Sequence, residues 1–157
     1  MKKYTLFAIT LLFVSFGFSQ NSEEENVKET IIEFFDAFHK QDTVKLKSMA
    51  KGNVQLQSIS KNKEGKTRLS ENDYNQFVRS IAGIPKDKTF EEKLLGFDIK
   101  IDGNMANAWT PYEFWFDGNF SHCGVNSFQL VKVEEDWKII YLVDTRRRQG
   151  CKAMTKN

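Results

Sequence analysis

The strongest structural signal in the chain lies in residues 101–145, IDGNMANAWTPYEFWFDGNFSHCGVNSFQLVKVEEDWKIIYLVDT. The dipeptides Asp102-Gly103 and Asp117-Gly118 are typical of two-residue hairpin turns, and each lies between runs rich in aromatic and β-branched residues. Residues 134–136 predict a third turn, of three residues. The turns divide the region into four antiparallel strands, at residues 94–101, 105–116, 119–133 and 137–145.

The residues before this region show the period of helices. Ser22-Glu23-Glu24-Glu25 fits a capping box, and the apolar stripe of a helix follows it: Val27, Ile31, Phe34, Phe35 and Phe38. Asp42 is expected to cap a second, short helix, and Ser70 a third. Residues 53–60 alternate and predict an edge strand. We therefore expect an α+β domain in which three N-terminal helices pack on one face of a curved antiparallel sheet.

Residues 1–19 are predicted to be a signal peptide. Lys2 and Lys3 precede an apolar run at residues 6–18, and Ser19 is a small residue before a cleavage at Gln20. The run is too short to span a bilayer comfortably, and the polar segment NSEEEN follows it. We expect export to the periplasm or medium, no stable membrane anchoring, and one domain over residues 20–157. The alternative is a retained N-terminal helix.

Charge argues against a nucleic-acid partner. The chain has 23 basic and 21 acidic residues, and loss of Lys2 and Lys3 with the signal peptide would leave 21 of each. A formally neutral domain has no general electrostatic attraction to nucleic acids or acidic membranes.

The last two predicted strands are apolar on both faces. One face carries Phe128, Leu130, Ile140 and Leu142, and the other carries Val125, Val131, Val133, Trp137, Ile139, Tyr141 and Val143. A sheet with one solvated face would alternate apolar and polar residues. Because the helices cover only one face, a second copy of the chain is expected to cover the other, which predicts a homodimer.

Two segments carry a family resemblance. Residues 31–42, IIEFFDAFHKQD, resemble the first helix of SnoaL-like and lumazine-binding-like members of the nuclear transport factor 2-like superfamily. The hairpin SFQLV through DWKII, residues 127–140, is similar to their terminal strands. The resemblance implies a cone with a pocket between helices and sheet, to which the first helix contributes Phe35. Family members include isomerases, cyclases, dehydratases and hydrolases as well as binding modules, so the resemblance leaves the function open.

Polar residues on the pocket side of the last two strands are the first candidates for a site. The predicted turn places Asn126 opposite Asp144, with His122 and Arg146 on the same face. A lone buried polar group costs about 1–3 kcal/mol, so Asn126 and Asp144 are expected to be partnered and to form the pocket floor. Arg146 is expected to keep Asp144 ionised.

The second predicted strand supplies the pocket wall in one of two registers. A two-residue loop at Asp117-Gly118 brings to the pocket face Trp109, Glu113 and Trp115, with Glu113 opposite His122. A three-residue loop brings Tyr112 and Phe114 there instead. Asp-Gly favours the shorter loop. In either register the cavity is aromatic and suits a small hydrophobic or planar ligand.

Each candidate has a structural alternative. Asp144 could pair with an arginine at a solvated strand end, His122 could be a partly exposed strand residue, and Glu113 could be a cross-strand partner of a lysine. The tryptophans could belong to the core or to a dimer interface.

The absence of known motifs limits the kinds of chemistry that the sequence predicts. Two histidines cannot form a zinc cluster of the usual spacing, and glycine-rich nucleotide motifs are absent, so no metal or cofactor is expected. The sequence favours a ligand-binding domain. The alternatives are an isomerase, dehydratase or hydrolase with Asp144 or His122 as acid–base, or a protein-interaction module.

Cys123 and Cys151 are the only cysteines. An even count in an exported chain favours a disulfide. The predicted register places Cys123 opposite Arg147, however, so a bridge requires the tail to turn back after Gly150. Both the bridged and the free state are open at this level.

Overall fold

A computed structural model describes the backbone of residues 5–151 and the side chains of residues 22–151. The helices are α1 (Thr5–His39), α2 (Thr43–Ser48) and α3 (Tyr74–Ala82). The strands are β1 (Ala50–Lys61), β2 (Thr67–Asp73), β3 (Phe90–Leu94), β4 (Asp98–Asp102), β5 (Met105–Phe116), β6 (Asn119–Val133) and β7 (Asp136–Thr145). Among residues 22–151, none of the helices has the length and apolar character that a membrane span requires.

The strands form one sheet in the order β2-β1-β7-β6-β5-β3, and β4 also pairs with β5. The α+β class is confirmed. The prediction of a purely antiparallel sheet is wrong, because β1 runs parallel to β7. The prediction of an edge position for β1 is also wrong, since β2 pairs with its outer side. The predicted strand at residues 94–101 includes most of β4 but only the last residue of β3, which was otherwise missed. Both strands pair with β5, at different parts of its length.

The apolar stripe of α1 forms the centre of the core. All five predicted stripe residues are buried: Val27, Ile31, Phe34, Phe35 and Phe38. The Phe34 and Phe35 rings contact the ring of Phe128 on β6 at centroid distances of 5.7 and 6.0 Å. Each fully buried large apolar side chain contributes roughly 1.5–3 kcal/mol, so this contact holds the helix against the sheet.

The N-terminal part of α1 differs from the prediction. The helix does not begin at Ser22, because residues 5–21 continue it upstream. Glu23 is therefore not a capping residue: its carboxylate accepts hydrogen bonds from Lys132 Nζ at 2.9 Å and Trp137 Nε1 at 3.1 Å. This contact ties α1 to the β6–β7 hairpin. Residues 1–4 of the predicted signal peptide lie outside the described residues.

The two shorter helices are capped by aspartates. Asp42 accepts hydrogen bonds from the backbone N–H groups of Val44 and Lys45, as predicted for α2. For α3 the cap is Asp73 rather than Ser70, because Ser70 belongs to β2. The prediction missed β2 because its residues, TRLSEND, are polar and almost entirely exposed.

Two β-bulges determine which side chains face the helices. In the β6–β7 hairpin, Val133 pairs with Asp136, so the turn has two residues rather than the predicted three. A bulge near Leu130 then restores the predicted pairing of Asn126 with Asp144. Between the turn and the bulge, the side chains of β7 lie on the opposite face from the one predicted. Trp137 and Ile139 are therefore buried in the core instead of facing outward.

The second bulge lies between β5 and β6. The Asp117-Gly118 turn has two residues, as predicted, and Phe116 pairs with Asn119. One residue is inserted in β6 after Phe120, and beyond it Phe114 lies opposite His122. A bulge moves every following residue to the other face, so the inner face of β5 carries Tyr112 and Phe114, as expected from the longer loop. Of these two, Phe114 lines the cavity.

Candidate functional site

A cavity of about 290 Å³ lies between the helices and the inner face of the sheet. Its wall is mainly apolar and includes Phe34, Phe35, Phe38, Leu56, Phe77, Ile81, Phe90, Phe114 and Leu142. Its polar lining includes Ser58, Glu92, His122, Asn126, Asp144 and Arg146. An apolar wall with a few polar groups is the usual composition of a small-molecule site.

Asp144 makes the largest number of hydrogen bonds in this polar lining, and it is 8% exposed. Its Oδ2 accepts hydrogen bonds from the Tyr112 hydroxyl at 2.9 Å and from Arg146 Nε at 2.8 Å. Its Oδ1 accepts a hydrogen bond from the Ser58 hydroxyl. Three donors on one carboxylate, one of them charged, fix its orientation and offset the cost of burying it. The predicted contact between Asp144 and Arg146 is present.

Tyr112 supports Asp144 from outside the cavity. It is 1% exposed, and its hydroxyl lies 2.9 Å from Asp144 Oδ2 and 3.1 Å from the carbonyl oxygen of Thr145. Burial, reinforced by the charge of Asp144, raises the pKa of Tyr112 far above its ordinary value, so the hydroxyl remains a donor. The sequence placed Tyr112 among the ligand contacts, whereas in the structure it positions a residue that lines the cavity.

Glu92 is a cavity residue that sequence reasoning missed. Its Oε1 accepts a hydrogen bond from Asn126 Nδ2 at 2.7 Å, so the amide of Asn126 is bound to Glu92 although its backbone pairs with Asp144. Burial raises the pKa of Glu92 to about 8; the nearby charge of Asp144 also raises it, while the Asn126 hydrogen bond and Arg146 lower it. At neutral pH this carboxyl is therefore mainly protonated. The available signal was the alternation Phe90-Glu92-Leu94, a charge at an apolar position of a strand.

His39 fixes the strand that carries Glu92. Its Nε2 accepts a hydrogen bond from the Glu92 backbone N–H at 2.8 Å. Burial lowers the pKa of His39, which keeps Nε2 available as an acceptor at neutral pH. The end of α1 is thus joined to β3, and the Glu92 carboxyl is held over the cavity.

His122 lines the cavity, as the sequence predicted. Its ring lies 5.0 Å from the Phe114 ring at an interplanar angle of 31°, and its Nδ1 is 3.1 Å from the Ser121 hydroxyl. Burial and the positive charge of Arg146 lower its pKa, although Asp144 opposes them. The ring is therefore neutral at pH 7.

Three predicted site residues lie on the outer face of the sheet, because the β5–β6 bulge reverses the register expected from the turn. Glu113 pairs with Lys93 and Cys123 and accepts a hydrogen bond from Trp115 Nε1 at 3.2 Å. Trp115 also packs against Lys93, whose Nζ is 4.7 Å from its ring. Trp109 is 45% exposed. The prediction that Trp109, Glu113 and Trp115 line the cavity is wrong.

Cys123 and Cys151 form a disulfide with a Cα–Cα distance of 5.7 Å. Cys123 pairs with Arg147 as predicted, and the chain turns back at Gly150, whose φ is +67°. The bridge fastens the segment that follows Asp144 and Arg146 to β6, beside His122.

The polar lining combines a carboxylate that is paired with an arginine, Asp144, with a protonated carboxyl group, Glu92. A carboxylate such as Asp144 can accept a proton, and a protonated carboxyl such as Glu92 can donate one. Among the described residues, no cluster of three or more histidine, cysteine, aspartate or glutamate side chains could hold a metal ion.

Glu92→Gln should remove a pH-dependent loss of stability. The unfolded chain releases this proton near the ordinary pKa of 4.5, while the folded protein keeps it up to about 8. The contribution of Glu92 to stability is therefore full below about pH 4.5 and is lost as the pH rises through 8. The stability of the variant relative to wild type should rise by at least about 1 kcal/mol between pH 4.5 and 9.

Urea unfolding at a series of pH values measures this difference. The exposed neighbour Glu91 supplies the matched control, Glu91→Gln, whose curve should stay parallel to that of wild type. A parallel curve for Glu92→Gln would contradict the assignment.

No family model matches the chain, and no curated protein matches it. Many solved structures do. A candidate dehydratase of the NTF2-like family from Streptomyces avermitilis is similar over 82% of this chain and 98% of its own, with 13% identity and a TM-score of 0.62. A protein with a cystatin-like fold from Nostoc punctiforme covers 80% of this chain and 92% of its own, with 11% identity and a TM-score of 0.62.

A third similar structure is the β subunit of a candidate aromatic-ring-hydroxylating dioxygenase from Novosphingobium aromaticivorans. It covers 87% of this chain and 96% of its own, with 8% identity and a TM-score of 0.68. Identities this low carry information on fold and not on activity. From its architecture and these similarities, we conclude that the chain has the nuclear transport factor 2-like, or cystatin-like, fold.

Proposed function

We propose that the protein binds a small, largely apolar molecule in the cavity between helices and sheet. The observation that supports this function is the cavity itself, with aromatic side chains on its wall and Asp144, Asn126 and Glu92 in its polar lining. Apolar surface that a ligand removes from water contributes roughly 25 cal/mol per Å², and the few fixed polar groups orient it.

Leu142→Trp should block binding. Leu142 lines the cavity and lies two residues before Asp144 in β7, so an indole ring there occupies ligand volume. We expect the affinity for the neutral fluorescent probe N-phenyl-1-naphthylamine to fall at least tenfold. Val44→Trp, at a position on α2 that is 79% exposed, is the control and should bind like wild type. Absence of probe binding to wild type, or equal binding by all three proteins, would overturn the proposal.

A second candidate, acid–base catalysis, is favoured by the presence of Asp144 and Glu92 in one cavity. In this reading Asp144, or His122, accepts a proton from a bound substrate, and the reaction is an isomerisation, dehydration or hydrolysis. Asp144→Asn should then abolish turnover while changing ligand affinity by less than about threefold. Turnover that survives this substitution removes Asp144 from the mechanism.

The sheet face opposite the cavity is proposed to form a homodimer. Its exposed apolar side chains include Ile59, Met105 and Trp109, which are 38%, 56% and 45% exposed. Exposed apolar side chains on the outer face of a sheet are candidates for an interaction site. Sedimentation equilibrium should give the dimer mass for wild type and the monomer mass for Trp109→Lys. A wild-type monomer at all concentrations would exclude this assembly.

Export is proposed from two independent features. The apolar run at residues 6–18 follows two lysines, and the disulfide between Cys123 and Cys151 requires an oxidising compartment to persist. The mass of the protein recovered from its native host should correspond to a chain that begins at Gln20 and carries two hydrogens fewer than the reduced form. A full-length, reduced chain would contradict export.

A further inference from the structure

The polar lining of the cavity has donors left over after its internal hydrogen bonds are made. Arg146 binds Asp144 through Nε alone. Its backbone N–H donates a hydrogen bond to the carbonyl of Ile59. Its two terminal nitrogens, Nη1 and Nη2, make no hydrogen bond to a residue within 22–151. Its side chain is 54% exposed although it lines the cavity, so these nitrogens lie at the cavity edge.

The carboxylate of Asp144 already accepts hydrogen bonds from other residues of the protein. Both oxygens of Asp144 are bound, by Tyr112 and Arg146 on one side and Ser58 on the other. Its charge is balanced by Arg146 at 2.8 Å. A cationic ligand could reach only the remaining acceptor site of Oδ1, and it would bring a second positive charge beside Arg146.

Two other residues of the polar lining, Glu92 and His122, can donate hydrogen bonds and therefore also favour a ligand with a hydrogen-bond acceptor. Glu92 accepts from Asn126 through Oε1, and its hydroxyl, present while the group is protonated, is a donor. His122 has Nδ1 beside the Ser121 hydroxyl, which leaves Nε2 free to carry the ring proton. Asn126 Oδ1 adds one neutral acceptor. A carboxylate is purely an acceptor, and the Nη edge of an arginine binds it with two parallel hydrogen bonds.

We propose that the cavity binds carboxylic acids with an apolar body, the carboxylate on the Nη1 and Nη2 edge of Arg146 and the body among the phenylalanines. This inference rests on the ligand-binding function proposed above. It assigns Arg146 two contacts at once: Nε orients Asp144, and the free edge selects the ligand head group.

A head-group series tests the inference on the wild-type protein. Octanoate, octan-1-ol and octylamine share one apolar body and are compared by displacement of N-phenyl-1-naphthylamine. Octanoate should bind at least tenfold more tightly than either of the others. An equal or tighter affinity for the alcohol or the amine overturns the carboxylate assignment. Failure of all three ligands, and of the probe itself, overturns the proposed function with it.

Variants of the arginine locate the contact. Arg146→Met should abolish the preference for octanoate over octanol, and Arg146→Lys, which keeps the charge but not the paired donors, should retain part of it. Arg148→Met removes an equal charge from the same tail at a residue that does not line the cavity, and should change the octanoate affinity by less than twofold. Equal losses in the Arg146→Met and Arg148→Met variants would indicate a general charge effect and contradict a specific contact. Thermal unfolding of each variant verifies that it is folded.

Discussion

Gly124→Ala is expected to cost at least about 3 kcal/mol of folding free energy, or to prevent folding. A Cβ at this position would lie 1.7 Å from the carbonyl oxygen of Thr145 and 2.8 Å from its carbonyl carbon. It would also lie 2.9 Å from Cε1 of the Tyr112 ring. Backbone atoms of the neighbouring strand cannot rotate away, so β6 and β7 would have to separate at this point.

The substitution should also remove ligand binding in any variant that remains folded. The Thr145 carbonyl and the Tyr112 hydroxyl are hydrogen-bonded to each other, and Tyr112 holds Asp144. Displacement of Thr145 therefore moves Asp144 in the polar lining of the cavity. Urea unfolding measures the first effect and titration with N-phenyl-1-naphthylamine the second.

Gly96→Ala is the matched control. No atom lies within 4 Å of a Cβ built at Gly96, and the residue does not need a positive φ. Its stability should stay within about 0.5 kcal/mol of wild type. If Gly124→Ala were equally neutral, the close contact between β6 and the end of β7 would be wrong.

Removal of the disulfide should have the second large effect. The bridge joins residues 28 positions apart, and closing a loop of this length is expected to stabilise the folded state by about 3–4 kcal/mol through the unfolded chain. We expect the double variant Cys123→Ala, Cys151→Ala to lose an amount of this order in urea unfolding. Replacing both cysteines avoids a free thiol that could form bridges between molecules.

Reduction separates the covalent effect from the effect of the substitution. Wild type in excess reductant should unfold at nearly the same urea concentration as the double variant, and the variant should not respond to reductant. Stability that is unchanged by either treatment would show that the tail is held by its backbone pairing alone. The hydrogen bonds between Cys123 and Arg147, both at 2.9 Å, are that pairing.

Local signals in the sequence were sufficient for the helices, for most of the strands and for the class of fold. The Asp117-Gly118 turn, the α1 stripe and the Asp42 cap each depend on residues close together in the chain, and the structure has all three. The turn predicted at Asp102-Gly103 lies one residue later, at Gly103-Asn104, because Asp102 pairs with Met105. The pairing of Asn126 with Asp144 was also predicted correctly, but from a three-residue turn. The actual turn is shorter by one residue, and a bulge compensates for it.

The site could be predicted only in part, because bulges carry little local signal. One inserted residue in β6 placed Phe114 in the cavity wall and turned Trp109, Glu113 and Trp115 away from it. Aromatic side chains occur on both faces of β5, so composition could not choose between the registers. Glu92 was missed because no strand was predicted before Leu94, whereas β3 begins at Phe90. The parallel pairing of β1 with β7 joins segments too distant for any turn signal.

The position of β7 has a consequence for how the chain folds. This last strand lies inside the sheet, between β1 and β6, and its partner β1 was synthesised more than 80 residues earlier. Until β7 emerges, the β1–β2 hairpin has an open edge, and the core lacks the buried side chains of Trp137 and Ile139. Folding should therefore be late and slow, as is usual for sheets dominated by distant pairings. A chain truncated before residue 136 should expose that edge and aggregate.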